Sequence, residues 1–378
     1  MDMIRFENTD GFIKDFETII NMDSASDNPE GLQVVAQWFQ ARFAALGMDA
    51  KVVFPGNGKV PCMEATLGQA PFDVMFLGHM DTVFATGEAA KRPFSIEGDK
   101  AFGPGVCDMK GGLLVALHAL ETLKAQGKLD GLNLVVAFNG DEEVGSQASQ
   151  GWIEETARNS RHTLVYEPCR PGYKVVSRRK GGGWFHLTAT GKETHVGADP
   201  HNGVNAVLEL AHQTLKITQD LNNEETGTAA HVTVFHGGDK VNIMPAEAKA
   251  SVDIRIGLAA EQGRVNAYFN ALADTVHLEG ARLSVEGHVD RPPLELTDKS
   301  QILLDAIQET GKALGQPMEH LATGGCSDGN FASAQGTPTI DGMGIVGANS
   351  HREDEYVELS SISPMVELTA NLCLRLIP

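Results

Sequence analysis

The 378-residue sequence contains no apolar run approaching the roughly 18–20 residues that a membrane-spanning helix needs. Its opening, Met1-Asp2-Met3-Ile4-Arg5-Phe6-Glu7, has neither the basic nor the apolar segment of a secretory leader. Cysteine is scarce. The five, Cys62, Cys107, Cys169, Cys326 and Cys373, are odd in number and far apart, which excludes a Cys-based zinc ribbon and fits a reducing compartment. A cytoplasmic, unprocessed chain is expected. Basic residues are also short: 30 Lys and Arg stand against 50 Asp and Glu, a formal net charge of -20. Phosphate backbones and anionic lipid select a basic face, so neither a nucleic-acid nor a membrane partner is expected. A phosphate-cradling G-x-x-x-x-G-K-[ST] loop is missing, as are internal repeats and low-complexity tracts.

What is present is an ordinary globular composition, 42% hydrophobic and 21% charged. The length predicts two domains, since domains usually hold about 100–200 residues. Ile13–Ile20, Leu32–Leu46 and Leu113–Leu123 have helical periodicity. Val74–Leu77, Leu134–Phe138 and Thr163–Tyr166 are short continuous apolar runs, the mark of strands buried on both faces. The alternation predicts an α/β domain with a mixed, largely parallel sheet. Arg178-Arg179-Lys180-Gly181-Gly182-Gly183 reads as a basic, glycine-rich hinge. After it, a strand-helix-strand-strand-helix-strand order resembles an α+β split βαβ unit of about 110 residues. Arg291-Pro292-Pro293 breaks that pattern, and the long helices Ile302–Leu314 and Ile362–Leu376 follow. The expected organisation is a discontinuous domain of residues 1–178 and 290–378, interrupted by an insert of residues 179–289.

The three apolar strands run directly into polar residues. They lead to Gly78-His79-Met80-Asp81, to Asn139-Gly140-Asp141-Glu142-Glu143, and to Glu167. Ligands of open parallel sheets bind beyond the carboxyl ends of the strands, so His79, Glu142, Glu143 and Glu167 are expected at one edge. Asp108 sits in the loop Gly103-Pro104-Gly105-Val106-Cys107-Asp108-Met109-Lys110-Gly111-Gly112, just before a helix. Crowded carboxylates repel one another unless a cation compensates them, and His with carboxylates suits zinc or a similar ion. Two divalent ions balance Asp108, Glu143, Glu167 and a bridging hydroxide. Asp81 can orient His79 through its second ring nitrogen. Of the adjacent glutamates, one can bind metal while the other moves a proton. Taken singly, each residue has a bland reading as a polar strand end, a helix-dipole acid or a turn residue. Their joint placement at strand–loop junctions favours chemistry.

The runs GHMDTV, GPGVCDMKGG, GDEEVGS and VYEP, in this order, resemble the di-zinc metallopeptidase and deacylase family of glutamate carboxypeptidase, acetylornithine deacetylase, succinyl-diaminopimelate desuccinylase and aminoacylase, and among these glutamate carboxypeptidase most. Further similar segments are Gly191–Gly197 with His195, Val241–Pro245 with Asn242, Asp253-Ile254-Arg255, Gly324–Asp328 with Gly325, and His351 followed by Glu355-Tyr356-Val357. The resemblance implies that Asp108 bridges two zinc ions (cobalt or manganese being alternatives), with His79 and Glu167 on one and Glu143 and His351 on the other. It implies Glu142 as general base acting on a bridging metal-bound water, Asp81 as the orienter of His79, and a cis bond after Asp108. His195 would stabilise the oxyanion across a homodimer interface formed by the insert. Arg255, Asn242, Arg291 and Gly325 are the expected substrate contacts, the arginines as carboxylate clamps.

The implied activity is hydrolysis of an amide bond, by a carboxypeptidase releasing a C-terminal amino acid such as glutamate, or alternatively by an N-acyl-amino-acid deacylase. Glutamate at position 167 leans toward the family's carboxypeptidases and deacylases and away from its aminopeptidases. Cys326 departs from the small or hydroxylated residue expected in the substrate loop. A non-catalytic binding homologue is disfavoured because every matched position is filled. Gly325-Cys326-Ser327-Asp328-Gly329 fits the G-x-S-x-G of a serine hydrolase, but the preceding Met318–Thr323 is not the apolar strand that such an elbow requires.

Overall fold

The computed structural model describes residues 3–377; Met1 and Asp2 of the N-terminal run, and Pro378, lie outside the described residues. The chain forms two compact units. One takes in the chain up to Arg178, Leu296–Thr323 and everything from Ser327 onward; the other comprises Arg179–Glu295 and Gly324–Cys326.

The first unit is built on a six-stranded sheet in the spatial order Asp49–Val53, Cys62–Leu67, Leu134–Asn139, Val74–His79, Thr163–Val165, Thr339–Ile340. The last four are mutually parallel and Cys62–Leu67 is antiparallel to both of its neighbours, so the sheet is mixed and largely parallel. Successive strand residues face opposite sides, and here both sides are covered. Val74 and Phe76 join the core formed by the helices Thr9–Ile20, Pro29–Ala45, Gly111–Ala125 and Ile362–Leu376. Met75 and Leu77 face the smaller cluster around Ile153 of the helix Gln150–Arg158 and Phe331 of the helix Gly329–Ala334. Burial on both faces is why these strands read as unbroken apolar runs. Local signals set the helix starts: the Asn28 side chain accepts from the Gly31 N–H at 3.0 Å, with Pro29 in the first turn.

The second unit is an antiparallel four-stranded sheet ordered Ala229–Gly237, Glu247–Ile256, Gly181–Thr190, Arg282–Arg291. The helices Ala206–Leu221 and Ala260–Leu272 pack on one face, where Phe185 and Phe269 stack with centroids 3.7 Å apart. The sequence order of strands and helices in this unit is that of a split βαβ fold.

The two units divide between Arg178 and Arg179, inside the Arg178–Gly183 segment, and its glycines belong to a strand. Strands Lys174–Arg179 and Gly181–Thr190 leave only Lys180 between them. The glycines are central strand residues, and a Cβ at Gly181 or Gly183 would overlap the carbonyl oxygens of Arg291 or His288 on the neighbouring strand. Glycine serves close backbone approach here, not flexibility. No described helix is long and apolar enough to cross a membrane.

Candidate active site

The strands Val74–His79, Leu134–Asn139 and Thr163–Val165 are neighbours, so their carboxyl ends open onto one edge. His79 is 1% exposed, and its Nε2 stands 3.0 Å from Asp108 Oδ1 and 3.6 Å from Glu167 Oε1. Asp108 arrives from the turn Val106–Lys110, and the Asp108-Met109 peptide bond is cis. Its second oxygen, Oδ2, stands 3.2 Å from His351 Nε2, which in turn is 3.0 Å from Glu143 Oε2. One carboxylate therefore serves two groups of donors, His79 with Glu167 and His351 with Glu143.

Close packing makes that convergence possible. Gly112, in the first turn of the helix after Asp108, lies against the carbonyl oxygen of Tyr166, and any Cβ there would overlap it. Gly344 packs on the same stretch, where an added Cβ would come within 2.6 Å of the Tyr166 and 2.8 Å of the Glu167 carbonyl oxygens. Gly344 also belongs to the one G-x-G-x-x-G run in the chain, Gly342-Met343-Gly344-Ile345-Val346-Gly347. This run leads into the strand Gly347–Ala348, not into the helix that a dinucleotide fingerprint requires.

Asp81 is fully buried and does more than face His79. Its carboxylate lies 3.3 Å from His79 Nδ1 and accepts the backbone N–H of Glu142 at 3.2 Å, the N–H of Glu143 at 3.1 Å and the Ser26 hydroxyl at 2.7 Å. It thus fixes His79 and the paired glutamates together. Two buried ionisable side chains brace the Asp108 loop. Lys110 Nζ donates to the carbonyls of Ile19 at 3.1 Å and Met22 at 2.7 Å, and burial lowers its pKa to about 8. Glu355 accepts the Gly105 N–H through Oε1, and burial pushes its carboxyl up to about 8. Ser26, Lys110 and Glu355 were not legible as site residues, because nothing in a local pattern distinguishes a buried charge or hydroxyl from a solvated one.

The electrostatics call for a cation. Burial works to lower the His79 pKa, but hydrogen bonds with Asp108, Asp81 and Glu167 prevail and hold it well above the imidazole range. Contacts with Asp108 first, and then Glu143, raise His351 to about 10. Burial works to raise the Asp108 pKa, but its two histidine partners prevail and hold it far below the usual carboxylate range. Burial raises Glu143, whose Oε1 is buried without a hydrogen-bond partner among the described residues. Donor atoms about 2.1 Å from a tetrahedral ion lie about 3.4 Å from one another. The separations here, 3.0–3.6 Å, match that spacing. His79, Asp108, Glu143, Glu167 and His351 fit a metal pair by donor type, spacing and orphaned oxygen. A similar trio, Asp15, His118 and Glu121, is different: Arg42 already bridges its acids at 2.7 and 2.6 Å and supplies the counter-charge.

A pH dependence follows. In the metal-free fold the carboxylates hold protons on His79 and His351, and a metal must displace them. Uptake is expected to weaken as pH falls and to release protons, measurable by titration calorimetry in buffers of different ionisation enthalpy. The sign for stability is opposite. A histidine raised in the fold stabilises fully below its unfolded pKa, about 6.5. That contribution is lost as pH rises toward the folded value of about 10 for His351. Metal-free protein should therefore lose thermal stability relative to loaded protein between pH 7 and 10; a constant gap between the two melting curves would contradict this.

Within the second unit, His195 Nδ1 accepts the N–H groups of Gly197 at 3.1 Å and Ala198 at 3.2 Å. Its Nε2 lies 3.4 Å from the Asn242 side-chain amide nitrogen. Arg255 grips Asp253 with two bonds of 2.9 and 3.0 Å and reaches Cys326 Sγ at 3.7 Å. Gly325 offers its carbonyl to Arg179 at 3.1 Å, a contact that the sequence did not signal. Arg291, 9% exposed, ends the strand Arg282–Arg291 opposite Gly182. Ser327, in the first unit, is fully buried and donates to Asp341 at 2.6 Å, which removes it as an exposed nucleophile.

Comparison with known proteins now adds its weight. The family model described as peptidase family M20/M25/M40 matches residues 75–375. Carboxypeptidase G2 of Pseudomonas sp. is 31% identical, with 96% of this chain and 89% of that protein covered. Succinyl-diaminopimelate desuccinylase of Gluconacetobacter diazotrophicus is 28% identical, with 89% and 90% covered. Among solved structures, aminopeptidase PepT from Bacillus cereus has a TM-score of 0.81 at 20% identity, covering 98% of this chain and 99% of that one. The M20 family metallo-carboxypeptidase Sso-CP2 from Sulfolobus solfataricus has a TM-score of 0.75 at 17% identity, covering 97% and 99%. The structural likenesses are likenesses of fold.

Proposed function

The chain belongs to peptidase family M20/M25/M40 and is a metal-dependent peptidase or amide hydrolase; from that premise we propose a carboxypeptidase that releases a C-terminal amino acid such as glutamate. The observation that carries the carboxypeptidase reading is the 31% identity to carboxypeptidase G2 over 96% of this chain; the mechanism rests on the division of labour around Asp81. Its carboxylate holds the backbone of both Glu142 and Glu143, and the Glu143 carboxylate faces His351. Glu143 is a ligand, and Glu142 is the general base.

His79, Asp108, Glu143, Glu167 and His351 would hold two zinc ions, with cobalt or manganese able to substitute. The metals, when bound, supply Lewis-acid charge for the amide carbonyl and acidify the attacking water. Glu142 takes the proton from that water and returns it to the leaving nitrogen. Asp81 keeps His79 in the orientation that ligation requires. His195, in a homodimer, donates its Nε2 proton to the oxyanion of the partner's substrate. Asn242, Gly325, Arg255 and Arg291 contact the substrate, the arginines through its carboxylate. The discontinuous segments 1–178 and 290–378 carry the catalysis, and 179–289 the dimer contacts. Five free thiols support a reducing, cytoplasmic setting.

A panel of dipeptides and N-acyl amino acids, assayed with metal-reconstituted protein, tests the assignment. Peptidyl or acyl glutamates are expected to be cleaved faster than N-succinyl-diaminopimelate or N-acetylornithine. The reverse order would replace the carboxypeptidase by a deacylase, the reading that the desuccinylase relatives support. The shared site has its own test. His195→Ala and Glu142→Ala proteins, each inactive, should regain about a quarter of wild-type activity after subunit exchange, because half the dimers are mixed and carry one intact site. Exchange without recovery would remove the trans role.

A further inference from the structure

We propose that Asp328 is a positioning residue for the base: its one carboxylate clamps both ends of the Asn139–Ser146 loop that carries Glu142. This role rests on the assignment of Glu142 above. Asp328 is 2% exposed and enters from the turn before the helix Gly329–Ala334, 189 residues away from Asn139. Its Oδ2 accepts the Asn139 side-chain amide at 2.8 Å, and its Oδ1 accepts the Ser146 hydroxyl. Asn139 and Ser146 are both fully buried, and Ser146 is held at a φ of 56°. Asn139 ends a central strand, so it is a fixed point, and the clamp ties the far end of the loop back to it.

A second buried carboxylate completes the frame. Asp141 accepts the Ser149 hydroxyl at 2.5 Å and the Ala148 N–H at 2.8 Å, and Ser149 also receives the Asn139 amide at 3.0 Å. With Asp81 on the Glu142 and Glu143 amides, the loop hangs on three buried aspartates that accept its N–H and O–H groups. Buried anions of this kind stay in place only while those donors surround them. A base must be held to within about 0.5 Å of its working position, and about 1 Å of misplacement can cost on the order of 100-fold in rate.

The test is a set of Asp328 variants made with and without Glu142→Ala in the full-length, metal-loaded protein. Asp328→Ala should lower kcat about 10–100-fold, with KM and metal content within about twofold of wild type. Hydrogen exchange of the 139–149 segment should quicken. Asp328→Asn should recover most of the loss, because its carbonyl can accept from Asn139 and its amide can donate to Ser146. In the Glu142→Ala background Asp328→Ala should add less than about twofold, since a residue acting through another is non-additive with it. Losses that multiply, or an unchanged kcat, overturn the role of Asp328 alone. Full activity in Glu142→Ala by itself overturns the base assignment, and the role of Asp328 with it. Should Asp328→Ala not fold, Ser146→Ala, which deletes only a hydroxyl, carries the same comparison.

Discussion

Glu142→Ala is expected to lower kcat by about 100- to 10,000-fold, the usual worth of a positioned general base, while metal content stays at two ions per chain. The expectation comes from how the pair 142–143 is built. Both backbone amides are pinned to Asp81, at 3.2 and 3.1 Å, so the turn survives truncation of either side chain. The Glu143 carboxylate meets His351 at 3.0 Å, beside Asp108 at 3.2 Å. Removing the Glu142 side chain therefore takes away the proton carrier and leaves the donor set. Glu142→Gln should behave alike, because an amide accepts a hydrogen bond but does not take up a proton at neutral pH. Turnover on the preferred substrate, measured beside atomic-emission metal analysis, decides the matter. A large loss of metal would make Glu142 a ligand, and retained turnover would remove it from the mechanism.

The framework of the fold was written in the sequence where burial is two-sided. Val74–Leu77 and Leu134–Phe138 read as strands because both faces are packed, and their neighbourhood in the sheet brings His79 and the 142–143 pair to one edge. The helix Ile362–Leu376 begins and ends where its periodicity does. The same cues failed where composition and role part company. Three glycines after three basic residues read as a hinge, yet a Cβ at Gly181 or Gly183 would overlap a carbonyl oxygen of the neighbouring strand. Charged residues read as surface, yet Lys110 and Glu355 are buried braces of the Asp108 loop. The clamp of Asp328 on Asn139 and Ser146 had no local signal at all, because its partners are 189 and 182 residues away and only the folded chain brings them together. The cluster of acids and histidines could be anticipated from strand ends; the residues that hold that cluster in place required the three-dimensional neighbourhood.

Asp108→Asn is expected to reduce bound metal from two ions per chain to one or none, and to lower kcat/KM by at least about 1,000-fold, the equivalent of losing several kcal/mol of charge stabilisation in the transition state. Asp108 spans the two histidines with its two oxygens, Oδ1 3.0 Å from His79 Nε2 and Oδ2 3.2 Å from His351 Nε2. Asparagine keeps the shape but replaces one of those oxygens with an NH2 group that has no lone pair to offer a metal. One donor group must then lose its shared oxygen, and the site as a whole loses a negative charge. The unloaded chain should fold, since the bracing by Lys110 and Glu355 does not involve the Asp108 side chain. Equilibrium competition against a chromophoric chelator measures both sites at once. Wild type should show two metals removed and restored reversibly, and the variant at most one. If Asp108 were only a turn residue before a helix, the substitution would leave two ions bound with unaltered affinity, and the two-metal centre would have to be rebuilt around other ligands.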